Sequence, residues 1–440
     1  MAALLVMDYS VSAQSNVLEG HWEGAITRLG AVQPLKFDFI PVGDSLTIQF
    51  DDPAQGYYQK LLEDPDQKIG AYDTVFDINF GYGKFHCLVN REYLQITGFN
   101  KSWKPEVLFH LRKIGEKEPL PYVAEEISFL DGEIRLAGSI YRPRNSQKYP
   151  LVIIIHGSDA QTRKTPYIRG LIHVLTKNNI GVVVYDKRGA GASGGNAQTA
   201  SFADLSADVS ACIQYIKRRK EPHFSKIGLF ATSAGGWIAP GIANKWGKTI
   251  EFVILNAGPA VPTFKQDIDR IAYTMRNNEF DEKTIDSAVQ HSRLYFSVVK
   301  NNAGWDQLQQ SVVLYKTRKW AIEKDLQMQL PGKMNDSDMV WWRMHDFDPG
   351  YDLSHMKCRV LSIMGEKDVL VPPATNKDLM EQYLAVAGCV HRIIVLPNAG
   401  HNGIAFQTLV GDEWKWPEHF WVWPQRPAMD YDEIIAWIKG

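Results

Sequence analysis

The stretch Lys226-Ile-Gly-Leu-Phe-Ala-Thr-Ser233-Ala-Gly235-Gly236-Trp237 decides how this chain of 440 residues is interpreted. Its first half is an apolar run typical of a strand buried on both faces, and its second half begins a closely packed helix. A serine on so sharp a strand-to-helix turn exposes its hydroxyl at the carboxyl edge of a sheet, and the turn needs small neighbours. Gly235 meets that need, whereas Ala231 stands where such turns usually have glycine. The pattern predicts that Ser233 is a nucleophile; a serine that caps a helix is the common alternative.

Similar short, mostly β-branched runs recur on both sides of this stretch. They occupy residues 151–155, 181–185, 226–230, 252–255, 359–364 and 391–396. Helical patterns lie between most of them, and a hairpin pattern precedes them around Asp131-Gly132. Strands that alternate with helices predict an α/β fold with a doubly wound, mostly parallel sheet.

One connection is much longer than the usual link between elements of such a sheet, and it joins residue 255 to residue 359. It contains helical patterns, for example residues 281–300, where Ile285, Val289 and Phe296 fall on one stripe. We expect an inserted helical cap at about residues 262–350, and such caps commonly shape a substrate pocket.

The chain before residue 116 has a different character. Residues 17–115 contain repeated period-two patterns with glycine and aspartate turns, which predict a small antiparallel β-sheet or barrel. The polar, proline-rich segment 116–121 is typical of a linker. We therefore expect a β module at 17–115 and a catalytic domain at 122–440.

The loop after the first parallel run begins with His156, Gly157 and Ser158. In a sheet of this kind, that loop and the residue after the nucleophile each supply a backbone N–H to an oxyanion hole, here Ser158 and Ala234. His156, Gly157 and Gly235 would border the site, and His156 is expected to be structural.

Two further polar turns follow later strands. Asp368 comes after the run 359–364, and His401 follows the last run in a loop of small residues. The order Ser233, Asp368, His401 is the one that α/β-hydrolases use. The three residues together predict a catalytic triad in which His401 is the general base and Asp368 orients it, with Glu366 as the competing acid.

Residues 122–440 resemble the α/β-hydrolases related to prolyl oligopeptidase and dienelactone hydrolase, especially bacterial serine esterases. Besides the turns described above, Asp186-Lys-Arg188-Gly189-Ala-Gly191-Ala-Ser193 matches the glycine-rich loop of that branch, which is mostly architectural. The opening Gly20-His-Trp22-Glu-Gly24 resembles a β-sheet module that precedes some secreted members. The resemblance implies hydrolysis of small-molecule carboxylic esters through an acyl-enzyme. A serine peptidase, a thioesterase and a non-catalytic ligand binder remain alternatives.

Composition limits the partners. The net charge of −2 gives no reason to expect nucleic acid, the apolar runs are too short to span a membrane, and no motif implies a metal ion or cofactor. The glycine-rich loop lacks the Gly-Lys-Ser/Thr ending of a nucleotide site. An apolar start and Ser12-Ala13-Gln14 suggest an export-signal remnant, which favours a secreted or periplasmic protein, with a disordered leader as the alternative.

Specificity is the least determined property. The aromatic candidates for a substrate wall, which could equally be packing residues, are Trp305, Trp320, Trp341, Trp342, Trp414, Trp416, Trp421 and Trp423. Arg276 and Arg343 are candidates for recognising a carboxylate, with an ordinary surface position as the alternative.

Overall fold

The computed structural model describes residues 17–62, 69–70, 73–104, 106–145, 148–219, 224–405 and 422–440. The predicted leader and Trp414, Trp416 and Trp421 lie outside these residues. The chain divides into two compact units, Met1–Pro119 with Gln407–Trp423, and Leu120–Phe406 with Pro424–Gly440. The first division falls inside the predicted linker.

Trp423 belongs to the first unit, although the sequence assigns it to the domain 122–440. Its indole Nε1 donates to the carbonyl of Ala31 at 3.1 Å, and its ring lies edge-on to Tyr82 at 5.1 Å. Because the side chain is buried among residues of the β unit, it is a packing residue there.

In its described part, the first unit is a sheet of nine strands. Neighbouring strands of this sheet run antiparallel to each other. The strands are β1 (Gly20–Arg28), β2 (Ala31–Val42), β3 (Ser45–Asp52), β4 (Tyr57–Leu61), β5 (Ile69–Gly70), β6 (Val75–Phe80), β7 (Gly83–Asn90), β8 (Gln95–Asn100) and β9 (Val107–Ile114). Their order is β4-β3-β2-β1-β9-β8-β7-β6, and β5 pairs with β3.

Alternating apolar residues supply the core of this sheet. Phe37, Phe80, Phe85 and Phe109 form ring contacts with centroids 4.9–6.0 Å apart. Gly24 has no room for a side chain, because a Cβ there would lie 1.8 Å from the carbonyl oxygen of His110 on β9. Close approach of β1 and β9 therefore depends on this glycine.

The second unit is built on a mixed sheet of eight strands among the described residues, in the order β10-β11-β13-β12-β14-β15-β16-β17. They are β10 (Tyr122–Asp131), β11 (Ile134–Pro143), β12 (Tyr149–Ile155), β13 (Gly181–Tyr185), β14 (Phe224–Thr232), β15 (Phe252–Asn256), β16 (Arg359–Gly365) and β17 (His391–Leu396). The hairpin β10–β11 and the pair β11–β13 are antiparallel, and β12 to β17 are parallel to one another. Six runs predicted from β-branched residues coincide with these parallel strands.

Helices cover both faces of this sheet. The helices are α1 (Pro166–Lys177), α2 (Phe202–Arg218), α3 (Gly235–Trp246), α4 (Thr263–Asn277), α5 (Glu282–Asn301), α6 (Trp305–Tyr315), α7 (Lys319–Ile322), α8 (Ser337–Met344), α9 (Gly350–Leu353), α10 (Pro373–Ala387) and α11 (Ala428–Lys439). Residues of α1 and α11 share one buried cluster with the sheet, and residues of α2, α3 and α10 share the other. This is the doubly wound arrangement that the sequence predicts.

Helices α4 to α9 form the insertion between β15 and β16, where the helical cap was expected. The cap has apolar clusters of its own: Ile271, Ile285 and Trp320 lie in one, and Phe296 and Met339 lie in another. Because α4 follows the carboxyl end of β15, the cap begins at the edge of the sheet where ligand sites of α/β folds lie.

Candidate active site

The strand β14 ends at Thr232, and Ser233 follows it in the left-handed region with a φ of 50°. A left-handed serine is strained, and such strain is typical of a nucleophile held on a tight turn. Helix α3 begins two residues later, so its N-terminus faces the region around the serine. Ala231, the departure from the usual glycine, is fully buried in regular register with Ile155 and Leu255.

Two glycines permit this turn. A Cβ on Gly235 would lie 2.7 Å from the carbonyl oxygen of His156 and 2.9 Å from that of Ile155. A Cβ on Gly157 would contact the Cβ of Ser233 at 3.4 Å. The loop after β12 therefore lies directly against the turn that carries the serine.

Asp368 and His401 are brought together at the same edge of the sheet. The Nδ1 of His401 lies 2.8 Å from Oδ2 of Asp368, whose side chain is fully buried. The other carboxylate oxygen accepts the backbone N–H groups of Leu370 at 2.8 Å and Val371 at 2.9 Å. Because both oxygens are engaged, the carboxylate is fixed in one orientation and holds the imidazole by its Nδ1 nitrogen.

Glu366, the competing acid, occupies a different place. Its side chain is exposed and accepts the backbone N–H of Asn398 at 2.7 Å. This bond stabilises the turn that precedes His401. Among the described residues, Glu366 makes no hydrogen bond to His401.

The backbone amides predicted for the oxyanion hole are those of Ser158 and Ala234. Among the described residues, the backbone N–H groups of Ser158 and Ala234 donate to no protein acceptor. The N–H of Gly157, in contrast, donates to Oε1 of Gln161 at 2.9 Å. Among the described residues, the loop thus has an unused amide at Ser158 but not at Gly157.

Lys187 holds the loop that contains Ser158. Its Nζ donates to the carbonyl oxygens of Gly157 at 2.6 Å, Ser158 at 2.8 Å and Asp159 at 3.2 Å. In a trans peptide the C=O and the following N–H point in opposite directions. Because the Gly157 carbonyl points to Lys187, the Ser158 N–H points away from it. This role of Lys187 has little signal in the sequence, where the residue is marked only by its position next to Asp186 in the glycine-rich loop.

His156 lies outside the reactive geometry. Its ring is 5% exposed, packs edge-on against Tyr185, and neither ring nitrogen has a hydrogen-bond partner among the described residues. Burial, with a smaller effect from the charge of Lys187, lowers the pKa of His156 to about 3, so the ring is neutral. The residue borders the site through its backbone, as a structural residue.

Hydrogen bonds and ion pairs of Asp186 and Arg188 fix the rest of the glycine-rich loop. Asp186 accepts from Arg163 Nε at 3.1 Å and from the N–H of Ala192 at 2.9 Å, and Arg188 makes two bonds to the buried Asp208 at 2.6 and 3.0 Å. Because these groups already satisfy one another, the loop is architectural and offers no phosphate cradle.

A cavity of about 490 Å³ lies over the serine. From the sheet edge it is lined by Ser158, Ser233, Trp237 and His401, among others. From the cap it is lined by Gln266, Asp267, Arg270 and Gln327, which the sequence analysis did not single out. Since cap and sheet edge enclose one space, the cap determines which group can lie next to Ser233.

The candidate specificity residues in the cap have structural roles. Arg276 pairs with Glu282 on the surface, and Arg343 donates to the carbonyl of Val299 at 2.8 Å. Trp320 is buried inside the cap. These three residues therefore make contacts within the cap itself. Trp342 differs because it lines a second cavity within the cap.

The described part of the chain contains no group of three or more side chains suited to hold a metal ion. No helix in that part is long and apolar enough to cross a bilayer.

Comparisons with known proteins agree with this architecture. Residues 146–317 match the Hydrolase_4 family model, described as serine aminopeptidase, S33, a segment covering less than half of the chain. Esterase EstD from Thermotoga maritima is 22% identical over 216 residues, which are 47% of this chain and 52% of EstD. The match thus spans about half the length of that relative.

Two solved structures illustrate the structural likeness. The esterase Pf2001 from Pyrococcus furiosus has a TM-score of 0.43 and 18% identity, and the match covers 66% of this chain and 88% of that chain. Proline iminopeptidase from Mycobacterium smegmatis has a TM-score of 0.44 and 14% identity, with 72% and 98% covered. The strand order, with helices on both faces of the sheet, gives the second unit an α/β-hydrolase fold, so the predicted fold class is confirmed.

Proposed function

We propose that the second unit hydrolyses carboxylic esters through an acyl-enzyme on Ser233. The observation that carries the proposal is the hydrogen bond between His401 Nδ1 and buried Asp368, at 2.8 Å, in a residue that lines the cavity of Ser233. With Nδ1 held by the carboxylate, the Nε2 nitrogen is the one left to accept a proton.

In the first half of the reaction, His401 Nε2 takes the hydroxyl proton of Ser233 while the oxygen attacks the ester carbonyl. The tetrahedral intermediate then collapses, the bond to the alcohol breaks, and His401 returns the proton to the departing alkoxide. Asp368 keeps the imidazole in one tautomer and stabilises its charged form.

In the second half, water takes the place of the alcohol. His401 accepts a proton from the water as it attacks the acyl-enzyme, and Ser233 leaves as the protonated hydroxyl while the acid is released. In both halves the carbonyl oxygen becomes negative, and the N–H groups of Ser158 and Ala234 are the donors proposed to stabilise it.

A serine peptidase with the same triad is the second candidate, and the description of the matching family favours it. Aminopeptidase-like members of the branch that this chain resembles hold the substrate amino group with a pair of carboxylates. In the cavity of Ser233 the carboxylate of Asp267 is already paired with Arg270 at 2.8 Å and bonded by Gln329 at 2.6 Å. The adjacent glutamates Glu125 and Glu126 are another candidate pair in the sequence, but Glu125 is paired with Arg219, and neither lines that cavity. Besides Asp267, the carboxylate of Asp159 lines this cavity among the described residues. Because Asp267 is already paired, the described lining of the Ser233 cavity contains no pair of free carboxylates, which favours the esterase.

The proposal predicts covalent labelling of Ser233 by a fluorophosphonate. The native protein should take up one equivalent, detected as a mass increase on the peptide that contains Ser233, and Ser233→Ala should take up none. Ser206→Ala is the matched control, since this hydroxyl only donates to the carbonyl of Phe202 in α2. A native protein that stays unlabelled would remove the catalytic proposal.

The bond that is cleaved is tested on the same protein. We expect p-nitrophenyl esters of short acids to be hydrolysed with a higher kcat/KM than aminoacyl p-nitroanilides. The reverse order, with Ser233 labelled, would make the chain a peptidase.

A further inference from the structure

A second cavity, of about 370 Å³, lies within the cap. Its described wall is mostly polar and contains Tyr295, Gln329, Asp336 and Asp338, with Trp342 as an aromatic residue. Asp267, Arg270 and Gln327 line both this cavity and the one over Ser233. The two spaces therefore adjoin, and a substrate whose ester group lies at Ser233 can extend into the cap.

The shared wall contains a buried ion pair with a free donor. Arg270 Nε bonds Asp267 at 2.8 Å and Nη2 donates to the carbonyl of Leu326 at 3.0 Å. The Nη1 nitrogen donates to no described residue, so its two N–H groups remain available. A buried pair is costly to desolvate, and an alkyl chain placed over it would remove the remaining water without offering a hydrogen bond.

Two other buried polar atoms in this wall have no partner among the described residues. They are the hydroxyl of Tyr295, a side chain that is 1% exposed, and Oε1 of Gln329. A buried hydroxyl or amide oxygen without a partner is unfavourable, and in native proteins it is commonly explained by a ligand or water. Burial, together with the nearby carboxylates of Asp336 and Asp338, raises the pKa of Tyr295 above its ordinary value, so the phenol is a neutral donor.

The wall thus presents donors at Arg270 and Tyr295. Its acceptors are Gln329, Asp338 and the Asp336 oxygen that does not accept the N–H of Met339. A hydroxyl group both donates and accepts, so several hydroxyls on a compact ring match this set, and the face of Trp342 suits the apolar side of such a ring. An anionic group would meet the carboxylates of Asp267, Asp336 and Asp338. The one arginine among the described wall residues, Arg270, is already paired with Asp267.

We propose that the cap cavity binds a neutral, hydroxyl-rich part of the ester substrate, such as a sugar or a cyclic polyol. This inference rests on the proposed ester hydrolysis at Ser233 and specifies its substrate class.

The test compares esters that differ only in hydroxyl groups. Methyl quinate against methyl cyclohexanecarboxylate places the hydroxyls on the acyl side, and glucose 6-acetate against cyclohexylmethyl acetate places them on the alcohol side. Since each net hydrogen bond contributes roughly 1 kcal/mol, we expect at least one hydroxylated ester to be preferred by about tenfold or more in kcat/KM.

Tyr295→Phe removes only the unpartnered hydroxyl and should fold normally. It is expected to reduce kcat/KM for the preferred hydroxylated ester about fivefold and to leave p-nitrophenyl acetate, which does not reach the cap, unchanged. Tyr315→Phe is the matched control, because Tyr315 lies in the cap but is not among the described residues that line either cavity. Arg270→Lys, which keeps the charge but loses the Nη1 donor, should raise KM for the same ester.

The result that overturns the inference is equal or lower kcat/KM for both hydroxylated esters while the alkyl esters are hydrolysed and Ser233 is labelled. Faster hydrolysis of an amino-acid ester than of either polyol ester would also overturn it, since the cavity would then recognise a cation. Loss of fluorophosphonate labelling in the native protein is a different outcome, because it contradicts the proposed function itself.

Discussion

Asp368→Asn is expected to lower kcat for ester hydrolysis about 10⁴-fold with little change in KM. Asparagine is isosteric, and its amide oxygen can still accept the N–H groups of Leu370 and Val371 that now bond the carboxylate. Its NH₂ group then faces His401 Nδ1, which must accept instead of donate. The imidazole proton therefore moves to Nε2, where it blocks removal of the proton from Ser233.

The matched control is Glu366→Gln. Glu366 is an acid only two residues away, and its described contact is the exposed bond from the N–H of Asn398. We expect kcat to change less than about threefold, because this bond survives the substitution. Steady-state kinetics, with thermal unfolding of each variant, checks both expectations. An Asp368→Asn enzyme with nearly native kcat would show that another acid orients His401, and loss of activity in Glu366→Gln would identify it.

The sequence contains enough information for the sheet of the second unit because each parallel strand is buried on both faces. A strand such as Gly181–Tyr185 then has to be apolar at every position, and a run of this kind is recognised without knowing its neighbours. The strands of the first unit are harder to predict from the sequence. Strand β4 (Tyr57–Leu61) is only half-buried, so it shows no alternation of buried and exposed residues that would mark it in the sequence.

The residues of the candidate site also differ in whether the sequence reveals them. Ser233, Asp368 and His401 are found from sequence because each follows a strand in a short turn with small neighbours. Arg270 and Tyr295 have no such local signal. They lie on helices whose apolar stripe predicts a buried face but not the element that covers it, so their shared cavity appears only once the cap has folded.

Lys187 is expected to be a positioning residue for the oxyanion loop, and Lys187→Met should lower kcat about 10²-fold. The substitution leaves three carbonyl oxygens, on Gly157, Ser158 and Asp159, without their common donor. The peptide that carries the Ser158 N–H can then rotate, and a misplaced oxyanion donor has an effect of about this size. Since the donor acts mainly on the transition state, KM should change much less than kcat.

Two further variants separate the positioning role of Lys187 from a general effect on the stability of the fold. Lys187→Arg keeps a cation but offers a planar fork, so we expect it to restore kcat only in part. Lys177→Met removes an exposed lysine at the end of α1 and should leave kcat unchanged. Equal kcat values for Lys187→Met and the native enzyme would contradict the positioning role, whereas a lowered melting temperature alone would not reproduce the split between kcat and KM.

The pH profile gives an independent measurement. Burial lowers the pKa of Lys187 to about 8 from an ordinary value of 10.5, with Asp159 opposing the shift. As pH rises through about 8, Nζ loses a proton and can no longer donate to all three carbonyls, so kcat of the native enzyme should decline there. Between the two pKa values the unfolded chain binds more protons than the folded one, so this group makes the free energy of unfolding rise with pH. We therefore expect an alkaline loss of kcat near pH 8 without a loss of stability assignable to this lysine, and Lys187→Met should lack that limb. If the variant keeps the same alkaline limb as the native enzyme, the titrating group is not Lys187.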